Sequence, residues 1–282
     1  MSWLTALRLG RVSNLPTVWT NALAGIVLSA GALSSTSLVP LLIGLSLLYV
    51  AGMYLNDAFD AEIDARERAG RPIPQGEVAV RTVFAAGFVL LALGLVCLAA
   101  LGGKAALMAI LLAGVIVLYD WLHKRTALAP LLMALCRALT YGVAAAAAYG
   151  EFGKPLLIGA IGLFCYIAGL TYAAKQEAFD RVERLWPLAV MAVPLAVATA
   201  AVLDRPQALP FFVAFLVWTG AALWLLWRRR PGDVGRSISW LIAGIPLYDA
   251  VLAGAYHSPE LGLLCALAVL LTIAAQRFVP GT

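Results

Sequence analysis

The sequence predicts an all-α protein, a polytopic bundle of nine to ten transmembrane helices. Three observations carry that reading. Hydrophobic residues make up 63% of the chain and charged residues only 12%, against roughly 25% charged in an ordinary soluble domain. Apolar stretches recur along the whole chain, several at or beyond the ~20 residues a helix needs to cross a bilayer. They are continuous rather than alternating, which excludes a β-barrel. The expected spans lie near 15–33, 38–58, 82–101, 104–121, 126–149, 155–174, 186–203, 208–227, 236–256 and 260–276. Together they form one membrane-embedded domain over 1–282, with no soluble domain boundary. Residues 1–14 carry Arg8 and Arg11 but no compact apolar core, so no cleavable signal peptide is expected.

The first span holds Asn21, which either lines a pocket or makes an interhelical hydrogen bond. The second runs into Asn56-Asp57-Ala58-Phe59-Asp60-Ala61-Glu62-Ile63-Asp64, four carboxylates in eight residues. Ionisable residues at the mouth of a span are costly and point to function. If the helix continues, Asp57, Asp60 and Asp64 fall at i, i+3 and i+7 and share one face. Asn56 lies one step away and Glu62 points elsewhere. Three carboxylates on one face repel unless a cation sits among them. Hard oxygen ligands suit Mg²⁺, which takes one or two carboxylates and completes its shell with water and substrate phosphate.

The fourth span runs out through Tyr119-Asp120 to the basic pair Lys124-Arg125. The fifth encloses Arg137. A lone arginine there needs a wet cavity or a partner, either a substrate oxygen or Asp120 or Asp249. Gly and Ala are frequent in the fifth and sixth spans, with an alanine run at 144–148. That composition permits close packing or leaves room for a lipid tail. The sixth span ends at Tyr172-Ala173 and leads into a loop with Lys175, Glu177 and Asp180. Arg228-Arg229-Arg230, after the eighth span, reads as an anchor to anionic lipid. Asp249 in the ninth reads as a structural partner. The tenth span is placed by Arg277 alone. His123 and His257 are isolated and make a poor metal site. Cys97, Cys136, Cys165 and Cys265 have no C-x-x-C spacing and read as small buried hydrophobes.

Charge sets the expected orientation. With ten spans, sixteen Lys and Arg fall on one side and only Lys104, Lys154 and Arg205 on the other. The positive-inside rule then puts both termini and the even-numbered loops in the cytoplasm, as in a multi-pass protein of a bacterial inner membrane. The formal net charge of +5 reflects this bias and calls for no nucleic acid. Two cytoplasmic connections, 59–81 and 175–185, mix acids with arginines. Such a mix either holds a metal-bound polyanion, with arginines on phosphate oxygens, or forms a solvated ion-pair network.

Asn56-Asp57-x-x-Asp60-x-x-x-Asp64, followed by Arg71-Pro72-Ile73-Pro74-Gln75-Gly76, resembles the UbiA superfamily of intramembrane prenyltransferases. The resemblance covers about 1–256. It implies a helical bundle that binds an isoprenyl diphosphate through Mg²⁺. The prenyl group then passes to an aromatic or other lipophilic acceptor, with release of pyrophosphate. By resemblance, Asn56, Asp57, Asp60 and Asp64 hold the diphosphate through the metal. Arg68 and Arg71 contact it, or Arg71 fixes the Pro72–Pro74 turn. Lys124 and Arg125 match a basic pair, or anchor the loop to the membrane face. Lys175 is placed to neutralise phosphate. The family's second motif, D-x-x-x-D after Tyr-Ala, reads here with Gln176 first and Asp180 second. Glu177 is a substitute ligand only if the backbone shifts, because one helical step rotates it by about 100°. Asn21, Arg137 and Tyr172 are further substrate-binding candidates.

The chemistry suits these residues. Metal neutralises the charge that develops on a departing diphosphate. The cavity must keep water from the carbocation. Aromatic faces stabilise that cation; the candidates are Tyr54, Phe59, Tyr119, Tyr141, Phe164, Tyr166 and Tyr172. Two alternatives share the motif: a terpene cyclase, and a non-catalytic carrier of a prenyl lipid.

Overall fold

The computed structural model describes residues 1–282 apart from 33, 175–188, 229, 280 and 282. Among the described residues there are helices and no strands. A short helix, α1 (Trp3–Leu9), is capped by the Ser2 hydroxyl, which accepts from the Thr5 amide. A 3₁₀ turn (Val12–Asn14) leads into α2 (Leu15–Leu28), with Pro16 in its first turn, where a missing N–H is harmless. Then come α3 (Ser35–Phe59), α4 (Ala61–Glu67), α5 (Val80–Ala99), α6 (Gly103–Leu122), α7 (Ala129–Ala147) and α8 (Lys154–Ala174). The rest are α9 (Ala192–Asp204), α10 (Leu209–Arg228), α11 (Asp233–Tyr256) and α12 (Pro259–Gln276).

Eight of these helices are long and apolar enough to cross a membrane. The shorter α2 and α9 occupy the positions of the first and seventh expected spans. Residues 186–188 of the seventh lie outside the described residues. Burial sorts the bundle into centre and rim. In α11, 83% of the most apolar stretch is buried, against 22% in α5, α10 and α12. The helix α11 packs against α10, α12 and α2, and α7 packs against α6, α8 and α2. So α2, α7 and α11 form the interior. The rim presents Val89, Val96, Leu107, Val217 and Leu270 outward, as a lipid-facing surface requires.

The close meeting of α2 and α7 depends on Gly25. A Cβ there would lie 2.6 Å from the Tyr141 carbonyl oxygen and 2.8 Å from the Tyr141 Cα. Small residues let helix backbones approach in this way. One turn earlier on each helix lie Asn21 and Arg137, so the same contact brings those two side chains within reach.

One expectation is corrected. The helix does not run unbroken through the acidic stretch. Helix α3 ends at Phe59, Asp60 stands at the junction and α4 begins at Ala61. The carboxylates are therefore shared between two groups of partners rather than gathered on one face.

The loop that follows is held from both ends. Arg71 to Gly76 folds into a tight turn, with the Gln75 amide donating to the Arg71 carbonyl (3.1 Å) and Gly76 at φ +74°. Ile73 and Val78 pack with Leu9, Tyr54, Ala58 and Val83. The Thr5 hydroxyl donates to the Glu77 carboxylate at 2.6 Å. This apolar clasp against α1 and α3 fixes where Arg71 emerges.

Gly25→Ala is expected to force α2 from α7 at about 1–3 kcal/mol, the usual range for overpacking. The thermal midpoint of the detergent-solubilised protein should fall. Gly114→Ala, whose Cβ meets nothing within 4 Å, should leave it unchanged or slightly raised.

Candidate functional site

A cavity of about 1100 Å³ opens where α3 and α6 end. Its mouth is polar: Asn56, Asp60, Glu67, Arg68, Arg71, Asp120, His123 and Lys124. Deeper lie Arg11, Asn14, Tyr49 and Arg137. Beyond them the walls are apolar, with Leu45, Leu48, Leu112 and Ile116 on one side. Ile167, Leu170, Ile238, Ile242 and Ile245 form the other. The cavity has a charged entrance and a hydrocarbon-like interior.

Four buried carboxylates stand at this end of the bundle: Asp57, Asp60, Asp64 and Asp120. Two arginines hold the first pair. Arg71 Nη1 lies 3.1 Å from Asp57 Oδ1 and 2.5 Å from Asp64 Oδ2, and Arg11 Nη2 lies 3.0 Å from Asp57 Oδ1. Burial pulls the Arg11 guanidinium down. Asp57, with Tyr49, Tyr119 and Asp64, outweighs this and holds its pKa above the ordinary value. On the opposite side, His123 Nε2 is 2.9 Å from Asp60 Oδ2, and its Nδ1 is 3.1 Å from the Asp120 carbonyl. Asn56 Nδ2 donates to Asp120 Oδ1 at 3.2 Å.

Two carboxylate oxygens, Asp64 Oδ1 and Asp120 Oδ2, are buried with no hydrogen-bond partner. Four carboxylates face two arginines and a histidine, so the cluster is short of positive charge. This donor set fits a hard divalent cation. Among the described residues no three of Asp, Glu, His and Cys are grouped closely enough to enclose a metal alone. That arrangement suits Mg²⁺, which relies on substrate phosphate and water for much of its shell.

Deeper in the cavity, Arg137 Nη1 donates to Thr17 Oγ1 (2.9 Å) and Asn21 Oδ1 (3.1 Å), and the guanidinium lies 5.5 Å from the Tyr49 ring centroid. Asn21 Nδ2 donates to Asp249 Oδ2 at 2.8 Å, and Tyr141 Oη donates to Asp249 Oδ1 at 2.5 Å. Arg137 pairs directly with neither Asp120 nor Asp249. The link to Asp249 runs through Asn21.

The expected site residues divide accordingly. Asn56, Asp60, Arg68, Arg71, Lys124 and Arg137 line one cavity. Asp57 and Asp64 sit behind Arg71 rather than on the cavity wall. Arg71 contacts those carboxylates and is also part of the turn, so both of its expected surroundings occur together. Arg125 lies over the Trp121 ring, away from the lining. Asn21 supports Arg137 from behind, also off the lining. The Tyr172 hydroxyl donates to the Ala127 carbonyl at 3.0 Å, and Tyr172 does not line the cavity. Lys175, Gln176, Glu177 and Asp180 lie outside the described residues.

Of the aromatic candidates only Tyr119 lines the cavity. Tyr54 donates to the Ala6 carbonyl, Tyr166 to the Leu241 carbonyl, and Phe59 packs edge-on to Phe84. The cysteines are free. Sequence reasoning left out Arg11, Tyr49, Glu67, Asp120 and His123 as site residues. For Asp120 and His123 a signal existed: they stand at i and i+3 at the end of a span, as Asp57 and Asp60 do.

A model of the UbiA prenyltransferase family matches residues 18–241. Digeranylgeranylglyceryl phosphate synthase of Metallosphaera sedula is 30% identical over 181 residues, which is 64% of this chain and 54% of that protein. The chain thus spans about half the length of the curated relatives it matches. Among solved structures, a UbiA homologue from Aeropyrum pernix K1 is similar with a TM-score of 0.66 at 20% identity, over 86% of this chain and 96% of that one. A UbiA homologue from Archaeoglobus fulgidus bound to GPP and Mg²⁺ is similar with a TM-score of 0.55 at 15% identity, over 96% and 99%. These likenesses show a shared fold. With the apolar helices, the family match makes this an integral, multi-pass membrane protein.

Arg71→Ala would leave Asp64 without its side-chain partner and Asp57 with Arg11 alone. Removing one member of a buried pair costs about 3–5 kcal/mol. Thermal unfolding without metal should show a loss of that order, and added Mg²⁺ should restore part of it. A variant as stable as the parent would show that these carboxylates do not need the guanidinium.

Proposed function

The chain belongs to the UbiA prenyltransferase family, and from that premise we propose that it transfers a prenyl group from an isoprenyl diphosphate to a lipophilic acceptor within the membrane. The observation that carries this reading is the cavity itself. An electron-rich cluster of carboxylates and free cations at the mouth adjoins an apolar interior long enough to take a hydrocarbon tail. The same geometry suits no water-soluble substrate as well, because most of the inner wall offers no polar contact.

In this reading the diphosphate lies at the mouth. Arg68, Arg71 and Lys124 take its oxygens, with guanidinium forks suited to phosphate. Asp60, Asp120 and Asn56 would hold Mg²⁺ there. Asp57 and Asp64 contribute by fixing Arg71, and Asp64 Oδ1 remains open to a second cation. When bound, the metal supplies Lewis-acid neutralisation of the leaving group. His123 orients the Asp60 carboxylate. The allylic carbon–oxygen bond breaks, pyrophosphate leaves, and a bond forms from the acceptor nucleophile to the allylic carbon as the acceptor gives up its proton. Tyr49 and Tyr119 offer ring faces to the carbocation. The apolar walls keep bulk water from quenching it to an alcohol. The loop beyond α8, with Lys175, Glu177 and Asp180, completes the diphosphate site from the same side. The charge bias between loops places this mouth at the cytoplasmic face of the cell membrane.

Purified protein with geranyl diphosphate, Mg²⁺ and a mixed acceptor pool should release pyrophosphate. Asp60→Ala should lower that rate by about 100-fold or more, as removing a preorganised charge contact does, and chelation should abolish it. Metal-dependent binding without release, across a pool that includes a competent acceptor, would replace enzyme by carrier. Release with only cyclised products would replace transferase by cyclase.

A further inference from the structure

Arg137 stands apart from the other cations of the cavity. Arg11 and Arg71 are paired with carboxylates and Lys124 lies 3.7 Å from Glu67. Arg68 is exposed at the mouth. Arg137 has no carboxylate within ion-pair distance among the described residues. It also lies deep: eight residues beyond Ala129, the start of α7, or about 12 Å along the helix.

Its surroundings hold it in one orientation. A carboxylate only accepts, so Asp249 Oδ2 compels the Asn21 amide to present its nitrogen to Asp249 and its oxygen to Arg137. Tyr141 secures the other Asp249 oxygen. Thr17 gives its own proton to the Asn14 carbonyl at 2.7 Å, so its lone pair faces Arg137. Both bonds use Nη1. Nε and Nη2 have no hydrogen-bond partner among the described residues, and neither is sealed from the cavity. A helix-to-helix tie would use up the guanidinium's donors. Here three helices orient it and leave its fork toward empty space.

We infer that Asn21 and Asp249 position Arg137 as an oxyanion-binding point in the cavity wall, which selects an acceptor with a carboxylate or phosphate headgroup on a lipophilic body. This rests on the prenyl-transfer reading. With the diphosphate at the mouth, the allylic carbon points inward. An acceptor gripped at Arg137 brings its nucleophile to that carbon from the interior. Arg137 is then a binding residue, and Asn21 and Asp249 are positioning residues.

The test uses full-length protein in neutral-lipid nanodiscs, its mouth filled with Mg²⁺ and geranyl S-thiolodiphosphate, which does not ionise readily. Octyl phosphate, octanoate and octanol share one tail and differ in headgroup. At least one of the two anions should bind about tenfold or more tighter than octanol, as a charge-assisted contact implies; the tighter of the two identifies the headgroup. Arg137→Gln and Asn21→Leu should each remove most of that preference, with octanol and donor-analogue affinity unchanged. Unchanged donor binding also shows that each variant is folded. Arg137→Lys, which keeps the charge, should retain part of the preference. No anion preference in the parent protein overturns the inference. So does equal weakening of anion and octanol in Asn21→Leu, which marks a merely structural residue. Loss of donor-analogue affinity in Arg137→Gln also overturns it, by assigning the guanidinium to the diphosphate. Failure of the parent to bind the donor analogue would instead strike the prenyl-transfer reading, while the anion preference is still read from the same samples.

Discussion

Buried negative charge at one end of the bundle is the constraint on which the rest of the structure depends. Asp57, Asp60, Asp64 and Asp120 stand where helices leave an apolar interior. A carboxylate there is tolerated only with a cation or donors in reach. Arg11 comes from the segment between α1 and α2, Arg71 from the loop after α4, and His123 from the end of α6. Three otherwise separate parts of the chain are thus drawn to one point. The apolar clasp of Ile73 and Val78 against Leu9 and Tyr54 places Arg71 without asking the ion pairs to do it alone.

The second level of organisation lies deeper and uses a different principle. At Arg137 the charge is not neutralised by contact; it is oriented by hydrogen bonds that pass through Asn21 to Asp249. That relay needs α2, α7 and α11 at fixed separations. The Gly25 contact with Tyr141 supplies one of them. Packing and polar geometry are therefore set by the same few residues, one helical turn apart.

Much of this architecture is legible in the sequence because span formation is local. Continuous apolar runs place ten helices, and the Asp57–Asp60–Asp64 spacing marks the mouth. The shared face of those three is misread, because the change of helix at Asp60 falls within the motif and no residue there announces it. The contact of Arg11 with Asp57 joins residues 46 apart, so local pattern cannot show it. Arg11 reads instead as one more positive-inside residue. His123 escapes notice when histidine is weighed only as a metal ligand, since its place here is as a donor to Asp60. Asn21, Arg137 and Asp249 each stand out singly as polar residues in spans. Their order in the relay depends on tertiary packing alone.

One guanidinium shared by Asp57 and Asp64 has a consequence for how the acidic motif is to be interpreted by mutation. The two aspartates are not independent variables. Altering either redistributes Arg71 toward the other, and the energies of the single changes will not add. A substitution at Asp57 therefore perturbs the phosphate-facing arginine as well as any metal. Loss of activity in such a variant identifies the network, and only a comparison with Asp60, which has different partners, separates ligand from scaffold.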